Sequence, residues 1–216
     1  QGTLYGQSAL GGVMRYITNK PNFDTVEGGF GLTGEGVASG DDTGYQGQGY
    51  INIPLSDNFA VRAVLYDYDR PGFIDNLGTG TEDINSEETT GGRLALRWAI
   101  SDSAEFNLLY FNQTSRVGGG QANGFQTPTS TYTPVLNGAP TDLGPPDLDN
   151  PSFRSNIDPF RILDHEALNA KLDIEFDHFD LSVMGAIKER KTAWRYDASL
   201  WFGIYDDVTT AFDHED

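Results

Sequence analysis

The stretch GQSALGGV, residues 6–13, has the glycine spacing of a phosphate-binding loop without its chemistry. Such a loop needs Lys and then Ser or Thr after its last glycine, because the ammonium group must reach the phosphates. Gly12 and Val13 occupy those two places. Ser8 is not a nucleophile elbow either, since Leu10 stands where a G-x-S-x-G turn needs its second glycine. His165, His178 and His214 are isolated and lack metal-binding spacing. Asp142, Asp147, Asp149 and Asp158 fall in a proline-rich stretch and could meet Ca²⁺, but EF-hand spacing is absent and a solvated acidic loop is the simpler reading. Asp173 and Glu175 could mimic a glycosidase pair, yet they fit a polar strand face more simply. No catalytic residue, metal site or cofactor is expected.

The elements that carry these residues are strands. In EALNAKLDIEF (166–176), Leu168, Ala170, Leu172, Ile174 and Phe176 alternate with Asn169, Lys171, Asp173 and Glu175. That is period 2, so one face is apolar and the other polar. After the turn at 177–179, Leu181, Val183, Gly185 and Ile187 repeat the pattern. The same logic gives strands over 27–38, 45–54, 59–69, 89–100, 105–116 and 180–196. In the third and fourth of these, Val61 and Leu65, then Leu94, Leu96, Trp98 and Ile100, oppose Arg62, Arg93 and Arg97.

Connection lengths are ordered. LSDN (55–58), SDSA (101–104) and DHF (177–179) are tight. They alternate with 39–44 and with stretches at about 70–88 and 117–165, the latter two beyond the ~12–15 residues usual for a structureless loop. Short turns at one end and long loops at the other describe an outer-membrane barrel. Phe59, Trp98, Phe106, Phe176 and Phe179 cluster near the short turns, and Tyr66, Tyr68, Tyr110, Phe111, Trp194 and Tyr196 near the long loops. Two such bands are expected to flank an apolar strip as interfacial girdles.

Composition narrows the function. The 216 residues carry 32 acids against 14 bases, a net charge of −18. Nucleic acid is excluded as a partner, because phosphate binding needs clustered Lys and Arg. The 26 glycines, absent cysteine and mean hydropathy of −0.43 fit a glycine-jointed β-protein with no disulfide framework. No run reaches the ~18 apolar residues of a membrane helix, which says nothing about strands.

The opening QGTLYGQSALGGVMRYITNKP (1–21) resembles the closing motif of the plug domain of TonB-dependent outer-membrane receptors. Gly2, Thr3, Leu4, Tyr5, Gly6, Gly11, Gly12, Ile17, Thr18, Lys20 and Pro21 match it, and residues 52–76 resemble the family's second and third barrel strands. The resemblance implies an all-β fold: the end of a plug (1–22), then about seven strands of a larger transmembrane antiparallel barrel of about 22, with long extracellular loops near 70–88, 117–165 and 197–216. It also implies a bacterial outer-membrane location and energy-coupled uptake of a scarce solute, an iron-siderophore foremost. Lipid and the inner-membrane TonB complex would be the partners, the latter through a TonB box upstream of residue 1. Plug residues Gly2, Tyr5, Gly6, Gly11, Gly12, Lys20 and Pro21 would shape structure. Phe125, Tyr132, Phe153, Trp201, Phe202 and Tyr205 would stack on ligand. The competing reading is a soluble, acidic carbohydrate-binding β-sandwich. It accounts for charge and loop aromatics but not for the loop ordering or the opening motif. A general porin without a plug is disfavoured by residues 1–21.

Overall fold

A computed structural model describes residues 17–38, 40, 42–76, 78–119, 135–136, 139–140, 152–153, 157–197 and 209–215. Twelve strands follow in chain order: β1 (Glu27–Gly36), β2 (Thr43–Ser56), β3 (Phe59–Arg70), β4 (Asp75–Asn76), β5 (Glu87–Ser101), β6 (Ala104–Gly118), β7 (Val135–Leu136), β8 (Ala139–Pro140), β9 (Ser152–Phe153), β10 (Phe160–Glu175), β11 (Asp180–Asp197) and β12 (Thr209–Glu215). Eight of them form one antiparallel sheet in the order β1-β2-β3-β5-β6-β10-β11-β12, an open meander with β1 and β12 at its edges. This is the expected all-β, partial-barrel architecture.

The seven long strands lie where the alternating pattern places them; most gain residues at their ends, while β1 stops at Gly36, two residues short of the expected 38. β10 starts at Phe160 because its ladder with β6 continues to Phe160↔Gly118. There Arg161 and Asp164 hide the hydrophobic period while the backbone stays paired. β12 lies within the stretch read as a loop from 197 onward, pairing Trp194↔Phe212 and Lys191↔Glu215. Its sequence, TTAFDHE, has too much charge to show an apolar face.

Registers fix the two faces. Leu94 sits opposite Ala63 and Tyr110, and Leu168 opposite Tyr110 and Ile187. Val61, Leu96, Leu108, Ala170 and Gly185 continue the same side. This face is bare: among the described residues no second layer covers it. Leu94 is 52% exposed, Leu168 40% and Ile187 74%. The apolar stretch from Leu94 to Ile100 runs about 20 Å along its strand. The opposite face carries Arg62, Arg93, Arg97, Asn52, Glu105 and Lys171, and the chain over 17–26 lies against it.

The short turns are built alike. Bulges fall at Pro54/Ser56 and Ala99/Ser101, next to the turns. Asn58 joins two hairpins, its carbonyl accepting from Ala99 N at 2.8 Å and its Nδ2 donating to Ala99 O at 3.1 Å. Phe176 and Phe179 stack across the third turn with centroids 4.6 Å apart.

The aromatic expectation holds at this end and fails at the other. Tyr66 and Tyr68 pair with Gln48 and Gln46, and Phe111 and Trp194 with Ala167 and Arg161, on the covered face. They form no outer girdle. Tyr45 and Tyr110 are the rings that the bare face presents toward the long loops.

The long-loop end is tied down. Asn85 Oδ1 accepts from Phe73 N and Ile74 N at 2.7 and 2.8 Å, and Ile84 N donates back to Ile74 O at 2.8 Å. Asp83 takes a left-handed φ of 52° there. A Cβ on Gly72 would overlap the Asp83 carbonyl oxygen. Gly72→Ala should therefore loosen the 71–86 loop at a cost of about 1–3 kcal/mol, read as faster proteolysis within it while the sheet keeps its circular-dichroism signal. Unchanged cleavage would contradict the packing.

Candidate functional site

The covered face is the candidate site, because it combines charge, burial and a docked segment. Asn52, on β2, is fully buried at 0% exposure. Its Nδ2 donates to Asn22 O at 3.1 Å and Thr25 O at 3.0 Å, and its Oδ1 accepts from Asn22 N at 3.0 Å. A single amide thus substitutes for the strand partner that residues 22–25 lack. Arg97 reaches the same segment: its Nη1 donates to Pro21 O at 3.3 Å and its guanidinium covers the Phe23 ring at 4.4 Å. Glu105 pairs with Arg97 at 2.7 Å and Lys20 at 2.8 Å, so one carboxylate joins wall and segment. Ile17 to Pro21 face Ala95, Asn107, Leu109, Asn169, Lys171 and Met184 across a shallow cavity of about 250 Å³.

Towards the long loops the same face becomes aromatic and polar. Tyr66 donates to Gln113 Oε1 at 2.7 Å and stacks on Tyr68 with centroids 5.3 Å apart. It lies over Gly91, where a Cβ would come within 2.5 Å of its hydroxyl. His165 meets Phe111 edge-on at 5.4 Å, a packing role. Asp173 is engaged by Lys171 at 2.7 Å and by Ser182, so it makes no acid–base pair with Glu175.

Beyond the strands, Asp158 closes the loops over this end. It accepts from Thr79 Oγ1 at 2.7 Å, Thr81 Oγ1 at 2.8 Å and Asn76 Nδ2 at 2.9 Å. Burial disfavours its charge, but the bonds from Thr79, Asn76 and Thr81, with the Arg195 charge nearby, hold its carboxyl below the usual carboxylate range. Asp158 is therefore a latch that joins Asn76, Thr79 and Thr81. Among the described residues no group of three His, Cys, Asp or Glu could hold a metal.

Of the residues singled out from the sequence, Lys20 and Pro21 are found at the segment–wall contact. Phe153 lies in β9, which pairs in parallel with β4 as Asn76↔Phe153. Gly2, Tyr5, Gly6, Gly11, Gly12, Phe125, Tyr132, Trp201, Phe202 and Tyr205 lie outside the described residues, as do Asp142, Asp147 and Asp149. Sequence reasoning missed Asn52 and Asn76, and singled out Asp158 only as a solvated acid. The signal for Asn52 was present: it is the polar residue between Ile51 and Ile53 on the charged parity.

Fold and face together define an antiparallel wall of the partial-barrel class. The chain is similar to the pesticin receptors of Yersinia enterocolitica (serotype O:8 / biotype 1B) and Yersinia pestis, 33% identical over 103 residues in each. The alignment covers 47% of this chain, and the chain spans only 14% of the length of these relatives. No protein-family model and no solved structure matches it.

Two outcomes follow. Asn52→Ala should free residues 22–25, costing about 1–3 kcal/mol, and raise their amide hydrogen exchange about tenfold or more. The Asp158 latch has a depressed carboxyl, so its stabilisation is complete above the ordinary value of 3.8 and is lost as pH falls through the lower folded-state value. Pepsin cleavage within 71–86 should therefore rise steeply once the pH falls below the ordinary value of 3.8. In Asp158→Asn it should be high throughout, without that step.

Proposed function

We propose that this chain is part of a TonB-dependent outer-membrane receptor: the end of a plug (1–22) and barrel strands from 23 onward. It would serve energy-coupled uptake of a scarce solute across the bacterial outer membrane, with an iron-siderophore as the cargo. One observation carries the reading. The sheet is apolar and uncovered on one side, and charged and occupied by the 17–26 segment on the other. A wall between hydrocarbon and a plugged lumen needs that division, since lipid can solvate no charge and a lumen can.

The opening motif and the similarity to pesticin receptors support the same class. In this reading lipid contacts the bare face, the TonB complex acts through a segment upstream, and ligand meets the long loops, with Phe125, Tyr132, Phe153, Trp201, Phe202 and Tyr205 as stacking candidates. The soluble sandwich reading requires a second sheet over Leu94, Leu168 and Ile187, and none lies there among the described residues.

The full-length gene product tests this. It should fractionate with outer membranes, migrate faster on gels when unheated, and support TonB-dependent growth on iron-siderophores under iron starvation. Leu96→Arg, in the middle of the bare face, should cost about 2–4 kcal/mol of folding stability in lipid vesicles, measured by urea titration. A product that stays folded and monomeric in detergent-free buffer would overturn the proposal.

A further inference from the structure

We propose that Arg93, with Arg62 beside it, seats a singly charged carboxylate on the covered face. This rests on reading that face as the receptor's interior wall. The cations around it are matched with acids: Arg62 with Glu27 at 2.8 Å, Arg97 with Glu105 at 2.7 Å, Lys171 with Asp173 at 2.7 Å, and Arg70 with Glu87 at 3.5 Å. Arg93 is half-buried, and no hydrogen bond or ion pair is formed by it among the described residues. Its Nε is buried without a partner, as is that of Arg62.

The register places these two guanidiniums together. Arg93 stands opposite Val64 and Phe111, and Arg62 is two residues from Val64 on β3. That makes them diagonal neighbours on one face, within reach of long side chains. Among the described residues one carboxylate, that of Glu27, pairs with Arg62, and none pairs with Arg93. A buried, unmatched charge is costly. Among the described residues the excess is one positive charge, which a carboxylate neutralises and a phosphate dianion would overshoot. The guanidinium fork suits a planar carboxylate bound through two oxygens. Phe111 and Tyr66 wall the position, and Tyr66 is already committed to Gln113.

The carboxylate has two possible sources: a side chain of the protein packed over this face, or a free solute. The full-length receptor in detergent distinguishes them, with benzoate as the probe and the Arg93 Nε–H resonance, assigned by its loss in Arg93→Lys, as the readout. A solute site gives a saturable shift with benzoate, and Arg93→Gln weakens binding ten- to a hundredfold. A side-chain partner gives a resonance already in the carboxylate-bonded position and insensitive to benzoate, together with a lowered melting temperature in Arg93→Met. A resonance in fast exchange with water that benzoate does not move, with Arg93→Met melting at or above the wild type, overturns the proposal. Arg93→Lys keeps the charge and loses the fork, so it gives the same comparison if Arg93→Gln does not fold. Heat-modifiable migration of each variant reports the barrel independently. A missing anion site would leave the receptor reading standing, and loss of that migration in the wild type would fail the receptor reading itself.

Discussion

Arg62 can lie buried against Glu27 and Tyr50 only because Val61 and Ala63 point the other way. That alternation is the constraint on which the rest of the sheet depends. A slip of one residue in any ladder would carry a whole row of guanidiniums to the bare face and a row of leucines to the charged one. The registers therefore lock one another: Val61↔Leu96, Leu96↔Leu108 and Leu108↔Ala170 continue one apolar row across four strands. The tight turns preserve that row. Bulges between Pro54 and Ser56 and between Ala99 and Ser101 absorb the twist at strand ends, the second at the last residue of the apolar stretch.

Strand existence was legible in the sequence because this constraint writes itself as period 2. It was legible where the bare face is apolar, as in 94–100 and 168–174. It was lost where apolar and charged residues mix on each face, as in Phe160–His165, or where charge dominates, as in Thr209–Glu215, and there pairing with a neighbour sets the structure. The aromatic band near the long loops was misread for a related reason. Position along the chain puts Tyr66, Tyr68 and Phe111 near the loops, but parity puts them on the covered face, and parity decides. Asn52 and Asp158 were invisible as functional residues because their importance lies in partners 27 to 82 residues away, at Thr25, Asn22, Thr81, Thr79 and Asn76.

The two ends of the sheet are held by different forces. At the short turns, backbone bonds and ring stacking suffice, since little chain must be ordered. At the long-loop end, Ile84 is the buried hydrophobic among the described residues of loop 71–86, and local polar contacts do most of the holding: Asn85 closes it from within and Asp158 from the neighbouring connection. A carboxylate taking three hydrogen bonds from side chains of one loop orders that loop without burying much surface. Such an end can be rigid near the strands while the rest of a long connection stays available for recognition.

The net charge of −18 would by itself suggest an ordinary soluble surface. Its placement argues otherwise. Acids sit on the covered face with their cations, at the turns, and beyond the apolar row, as Asp67, Asp69, Asp164 and Glu166 do. None interrupts the row from Leu94 to Ile100 or from Leu168 to Ile174. Water would penalise that uncharged expanse, and Phe30, 94% exposed on β1, extends it to the sheet's edge. A described sheet that keeps acids out of the middle of that apolar row, and sets them on the same face only beyond it, has its charge partitioned along the strands. The chemistry left for a solute then falls to the other face and to the loops above it.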